Sequence, residues 1–400
     1  MAGTDTAGTE LYWDPYDPEL VADPYATYRR LREEEPLYYN ERYDFYAVSR
    51  FDDCRDGLRD ARSYISGKGG ILEVIKADME MPSGILIFED PPVHTIHRRL
   101  LSRVFTPGRI AGLEPKIREF CARCLDPLIG SDGFDLIKEL GAQMPMRVIG
   151  MLMGIPESGL EAVRDQVDAN LRTRPGQPME ARTEGFSDGM IAEYIDWRAD
   201  HPSDDVMTAL LHTEFEDETG TVRTLTRDEA VIYATVVAGA GNETTNRLIG
   251  WAGKVLGEHP DQRRQVASEP NLVPNTVEEL LRYEPPGPAA ARFLPQDVEL
   301  LGQRVPAGSA MVFLVAAANR DDRQFDDPER FDIHRQIGQH LTFGYGIHFC
   351  LGAALARLEG RVALEELLAR FPDWEVDMDN ARLATTSTVR GWETLPIVLG

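Results

Sequence analysis

The sequence is short of cysteine, of basic residues and of long apolar runs. Four cysteines in 400 residues are too few for a disulfide scaffold, so a reducing compartment, the cytoplasm, is the expected location. Lysine and arginine total 42 against 67 aspartates and glutamates, a formal net charge of −25. That balance argues against nucleic acid or an anionic membrane as a partner. It still allows a local basic patch, because charges more than about 8 Å apart are largely screened at physiological salt. The longest apolar run, Ala230 to Gly241, falls short of the ~20 residues that cross a bilayer. Met1 to Thr9 contains no apolar stretch resembling a signal peptide. The expectation is a soluble protein without a membrane anchor.

What is present is mostly helical pattern. Asp23-Pro24 precedes Tyr25, Tyr28 and Leu31 at helical spacing. Tyrosine-rich Leu37 to Ser49 predicts a strand pair turning near Asn40-Glu41, and a further helix is expected from about Ser49. Ser63 to Pro92 is broken by glycine and proline yet stays apolar, so it is either buried or lines a pocket. Thr226 and Glu229 form a capping-box pattern that predicts a long helix to about Gly257. Short strands are expected within Asp297 to Pro306 and Trp374 to Val398. No repeat or linker divides the chain. Residues 1–400 therefore read as one mainly α domain with small β-sheets, and residues 1–10 as a flexible tail.

The most informative stretch runs from Phe343 and Gly344 through Tyr345, Gly346, Ile347, His348 and Phe349 to Cys350, Leu351 and Gly352. Glycines just before a cysteine let the backbone approach something bulky. Leu351, Leu355, Leu358 and Val362 then recur at helical spacing. Cys350 thus sits at or just before a helix amino terminus, where unpaired N–H groups and the dipole stabilise a thiolate. An anionic sulfur in an apolar loop is what an axial iron ligand requires. The competing readings are a zinc site from Cys350, His348, His340 and His334, whose irregular spacing leaves the glycines unexplained, and a buried structural cysteine. Cys121 and Cys124 form a C-x-x-C without a second pair, in helical surroundings.

A second constellation lies in the long helix. Ala240-Gly241-Asn242-Glu243-Thr244-Thr245 places a carboxylate and two hydroxyls in a segment that is otherwise apolar all round. Burying that charge is costly unless it is paired or wet. Without a functional role, Thr244 would simply bond back to the Ala240 carbonyl and Glu243 would form a surface ion pair.

The cysteine stretch resembles the haem-binding signature of the cytochrome P450 family, and the long-helix segment resembles that family's acid–alcohol motif. The likeness covers nearly the whole chain, and the soluble bacterial branch that uses an external ferredoxin is the best match. The resemblance implies the cytochrome P450 fold and haem b, with Cys350 as the thiolate ligand. It places Phe343, Gly344, His348, Gly352 and Ala240 against the haem. His94, Arg98, Arg292 and His348 would hold its propionates, with Arg99 an alternative to Arg98 by composition. Thr244 would hydrogen-bond bound dioxygen, and Glu243 would relay protons. Glu279 and Arg282 would form a buried structural pair joined by Arg330, with Glu278 the rival acid.

The implied activity is insertion of one atom of dioxygen into a lipophilic small molecule, as hydroxylation, epoxidation or demethylation. A ferredoxin and its reductase would supply electrons, docking on a basic patch that includes Arg103, Arg357 and Arg361. The substrate pocket would be lined from Ile71 to Ile87, parts of Asp168 to Met190, Val236, Val237, Ala240, Ala289 to Phe293, Thr388 and Val389. The alternatives are a peroxide-driven peroxygenase or isomerase of the same haem-thiolate type, and a non-catalytic haem protein that binds a gas or ligand.

Overall fold

The computed structural model describes residues 10–79, 82, 84–180 and 189–400. The expected tail therefore lies outside the described residues except for Glu10, as do residues 80, 81, 83 and 181–188 of the expected pocket lining. The fold is mainly α with small sheets. No helix among the described residues is long and apolar enough to cross a membrane.

The long helix, Arg227–Glu258, is the spine. Its start follows from local chemistry. The Thr226 hydroxyl accepts the Glu229 N–H at 3.2 Å, and the Glu229 carboxylate accepts the Thr226 N–H at 2.8 Å, so two otherwise unpaired donors are satisfied at once. Most of the helix is buried, and at 1.5 Å per residue it extends about 48 Å. Beside it runs the helix Ala353–Arg370, and the Thr245 hydroxyl bonds the buried carboxyl of Glu359 at 3.2 Å between the two. The helix Met144–Met153 packs on another side. Gly241 permits that approach, because a Cβ there would lie 2.5 Å from Ile149 Cδ1.

The predicted strand pair forms as Leu37–Asn40 and Phe45–Val48. Phe45–Val48 continues into a four-stranded sheet by parallel pairing with Ala310–Phe313, which pairs antiparallel with Ala290–Phe293. The apolar segment after Ser63 follows the free edge of that sheet. Ile65 bridges Phe293, and the Ala291 N–H bonds the Gly70 carbonyl at 2.9 Å. Periodicity gave no sign of the short helix Leu72–Ala77 that follows, because its six residues span fewer than two turns. The carboxy-terminal strand Pro396–Leu399 lies between Trp374–Val376 and Gly133–Asp135.

Candidate haem-thiolate site

Cys350 lies three residues before the helix Ala353–Arg370, whose cap is Gly352. The loop ahead of it is tightly bonded. The Cys350 N–H donates to the Phe343 carbonyl, and the Gly344 N–H to that of Leu341, each at 2.8 Å. Gly344 and Gly346 both adopt left-handed φ, +70° and +71°. A Cβ on Gly346 would also lie 2.9 Å from the Leu58 carbonyl, so only glycine suits both the backbone and the space. Behind the loop, Arg357 lies over the Phe343 ring, 4.5 Å from its centroid, and donates to Glu278 at 2.6 Å. Burial raises the Glu278 carboxyl, but hydrogen bonds from His340 and Arg357 outweigh that and hold it at about 2.

Cys350 is exposed although the helix it introduces is largely buried. Although the residue is open on one side, the surrounding protein desolvates its thiol and lifts it above the ordinary range, while the Gly352 N–H, Arg98 and Arg357 pull it back toward the thiolate. Cys121 and Cys124, by contrast, are buried with raised thiol pKa values, inert in character.

Four hydrogen-bond donors converge nearby. His94 and Arg98 share a face of the helix Val93–Ser102, Arg292 comes from the sheet strand Ala290–Phe293, and His348 from the cysteine loop. The His94 and His348 rings are 4.3 Å apart. His94 is buried, with neither ring nitrogen bonded to protein. Arg98 donates to the Phe349 carbonyl, and Arg292 to the carbonyl of its neighbour Ala291. Among the described residues no carboxylate is ion-paired with any of the four. Their crowding shows in their acidity. Desolvation, then Arg292, His94 and Arg98, push His348 down to about 3, and desolvation lowers Arg292 to about 10. Such a set fits a dianion presented from one side.

The long helix opens on one face at this level. Ala240 is exposed, and Val236 and Thr244, one turn away on either side, are half-buried, whereas Asn242, Glu243, Thr245 and Asn246 are buried. The Thr244 hydroxyl donates to the Ala240 carbonyl at 2.9 Å. Glu243 forms a buried ion pair with Arg247 at 2.6 Å, and Arg247 also donates to the Trp392 carbonyl.

The alternative zinc set does not assemble, since His340 bonds Glu278 and His334 bonds Gln265. Two sequence expectations need correction. The Arg330 side chain does not join Glu279 and Arg282: it is exposed and pairs with Asp327 and Asp332, only the Arg330 carbonyl accepting from Arg282 at 3.4 Å, while Arg335 donates to Glu279 at 3.1 Å. Nor do Arg103, Arg357 and Arg361 make a basic patch. Arg357 is neutralised by Glu278 and Arg361 by Glu114 and Glu365, leaving Arg103 exposed. Sequence reading missed Ser66, whose hydroxyl lies 3.1 Å from His348 Nε2. It also missed Asp90, which accepts the Ser66 and Gly67 N–H groups at 2.9 and 2.7 Å. Only tertiary packing reveals them.

The family model described as "Cytochrome P450" matches residues 179–391. The chain is 38% identical to "Putative cytochrome P450 123" of Mycobacterium tuberculosis, over 97% of both chains. The chain belongs to the cytochrome P450 family. It is also 36% identical to "Cytochrome P450 monooxygenase PikC" of Streptomyces venezuelae, over 95% of this chain and 92% of that one. The structure of a mutant of P450 EryK in complex with erythromycin B superposes with a TM-score of 0.85 at 34% identity, covering 93% of this chain and 95% of the other. Cytochromes P450 are oxidoreductases that carry haem on a cysteine thiolate. The residues of this P450 fit that group. Haem presents two carboxylates on one edge, which four donors without a carboxylate partner among the described residues suit, His94 with neither ring nitrogen bonded, and an iron, for which Cys350 offers a thiol.

Proposed function

We propose that this P450, acting as one domain over residues 1–400, hydroxylates a lipophilic small molecule in the cytoplasm, with electrons from a ferredoxin and its reductase. Cys350 would supply the thiolate to the haem iron, with Phe343, Gly344, Gly352 and Ala240 lining the haem site. His94, Arg98, Arg292 and His348 bind the propionates. The observation that carries this reading is the convergence of those four donors, without a protein carboxylate, beside the glycine-framed cysteine.

Bound there, the haem supplies dioxygen activation, which electron density from the thiolate favours. The chain's own residues supply protons and shape. The Thr244 hydroxyl donates to the Ala240 carbonyl, and releasing that bond would free a donor on the face of the helix that opens at Ala240. Arg247 holds Glu243 through Oε2, so that pair would tune how readily the carboxylate passes a proton. The substrate class follows from the side chains proposed to line the pocket, Val236, Val237, Ala240, Ala289 to Phe293, Thr388 and Val389. They are mostly apolar, with few polar anchors. The erythromycin B bound by the related EryK mutant supports a bulky lipophilic guest.

An absorption spectrum of the reduced protein with carbon monoxide tests the reading. A strongly red-shifted Soret band, abolished by Cys350→His, is the expected result. A band typical of histidine ligation in the unaltered protein, or failure to take up haem, overturns it. A panel of lipophilic compounds that never displaces the haem's sixth ligand would refute the substrate class.

A further inference from the structure

A second buried polar cluster lies beyond the donors assigned to the propionates. The Glu89 carboxylate is almost wholly enclosed and collects donors from three separate elements. From its own segment the Gly84 N–H reaches Oε1 at 2.9 Å. From the helix Val93–Ser102, His97 Nδ1 lies 2.9 Å from Oε2 and 3.0 Å from Oε1. From the long helix the Tyr233 hydroxyl donates to Oε1 at 3.3 Å. His97 and Tyr233 are themselves buried, their ring centroids 5.3 Å apart and nearly perpendicular. Gly84 adopts a φ of +106°, and a Cβ there would come within 3.2 Å of Ile232, so the segment lies directly on the long helix.

The position of this cluster gives it consequences. Tyr233 precedes Ala240 by seven residues, which in an α-helix is two turns along nearly the same face, about 10 Å away. That face is the one that opens at Ala240 and Thr244. His97 sits between His94 and Arg98 on their helix, and Glu89 adjoins Asp90, whose carboxylate fixes Ser66 against His348. The Glu89 backbone also lies against the His348 ring. One carboxylate therefore joins the segment Gly84–Glu89, the helix of the propionate donors and the oxygen-side helix.

We propose that Glu89, His97 and Tyr233 form a clamp that sets the opening of the chamber above the haem, His97 and Tyr233 acting through Glu89 as positioning residues. The inference rests on the haem reading above. The clamp holds Gly84–Glu89 against the long helix, and through that contact it governs how readily a bulky molecule reaches the iron. A small diatomic ligand needs no such displacement and is indifferent to it.

The test uses the haem-loaded protein and two probes, 4-phenylimidazole as the bulky iron ligand and carbon monoxide as the small one. His97→Leu removes the donor and keeps the volume apolar, Tyr233→Phe removes only a hydroxyl, and His97→Asn returns an N–H near the Nδ1 position. His97→Leu and Tyr233→Phe should each raise the association rate of 4-phenylimidazole by about tenfold, the scale of one lost hydrogen bond to a buried carboxylate. Carbon monoxide association should change less than about twofold, and His97→Asn should restore the azole rate. Because both residues work through Glu89, neither substitution should add anything in a Glu89→Gln background. Unchanged azole rates overturn the clamp, as do equal shifts for both probes, which mean general loosening, or a failed Asn rescue. A wild-type carbon monoxide spectrum lacking the red-shifted band removes the haem reading and this inference together. The red-shifted band with unaltered azole rates removes the clamp alone.

Discussion

Arg335 Nε donates to Glu279 Oε1 at 3.1 Å, on the carboxylate that Arg282 already grips at 2.7 and 2.8 Å. Glu279 and Arg282 are wholly buried, so the second arginine helps neutralise a charge with no access to water. Arg335 also donates to the Asp327 and Arg330 carbonyls, tying that loop to the helix Val273–Tyr283. Removing one partner of a buried ion pair typically costs about 3–5 kcal/mol, and here the remaining Arg282 softens the loss to about 2–4 kcal/mol. Arg335→Ala should lower the urea midpoint accordingly. Arg330→Ala, losing only exposed pairs, should stay within about 0.5 kcal/mol of wild type. Equal losses in the two variants would contradict the assignment.

The resemblance of Pro328 to Phe331 to the family's loop pointed to Arg330, but the chain carries a second arginine at 335. The choice between them is made by a turn at Asp327, whose φ of +46° sends Arg330 outward. The long helix was legible because its capping box is local, and so was the position of Cys350, set by its glycines and the leucine period after it. The Glu89 clamp was not legible, since its donors come from residues 84, 97 and 233 and meet only in the folded chain. Thr244 lies between these cases. The motif was plain, but its bond to Ala240 depends on a rotamer that sequence does not specify.

Glu359 gives the stability a pH dependence of unusual sign. Burial lifts its carboxyl to about 8, only partly opposed by the Thr245 hydroxyl. The folded chain therefore holds this proton more tightly than the unfolded chain, so the stability this group contributes is fully present below about pH 4.5. It declines as the pH rises toward 8, where the carboxyl must ionise in a buried site. At ~1.4 kcal/mol per pKa unit, the total is a few kcal/mol. Glu359→Gln keeps an acceptor for Thr245 and removes the ionisation. Its stability relative to wild type should rise between pH 5 and pH 9 in parallel thermal melts. A constant difference over that range would mean that Glu359 is already ionised when buried.

Substituting Thr244 separates oxygen insertion from peroxide-driven chemistry. Thr244→Ala removes a hydroxyl whose present partner is only the Ala240 carbonyl, so the fold should not suffer. Turnover with ferredoxin and reductant should instead leak, more of the reductant appearing as peroxide and several-fold less as product, because the hydroxyl no longer assists proton delivery. Thr244→Ser should recover much of the coupling. A variant that keeps its full product yield per reductant would remove Thr244 from the proton path, and full activity with peroxide would favour the peroxygenase reading.

On the proposed reading that a ferredoxin supplies the electrons, Arg103 is the member of the expected patch left without an ion-pair partner among the described residues. This arginine follows the helix Val93–Ser102, is exposed, and has no carboxylate paired with it among the described residues. Arg361, by contrast, is held by Glu114 and Glu365. An acidic ferredoxin approaching a chain of net charge −25 is repelled at long range, so an unpaired cation near the haem-edge helix carries more weight than its number suggests. Arg103→Glu should slow ferredoxin-driven reduction several-fold at low salt, and the deficit should shrink as salt shortens the screening length below about 8 Å. Arg361→Glu should act chiefly on thermal stability, by placing a third carboxylate beside Glu114 and Glu365. If Arg103→Glu reduces at the wild-type rate across the whole salt range, electrons enter through another face.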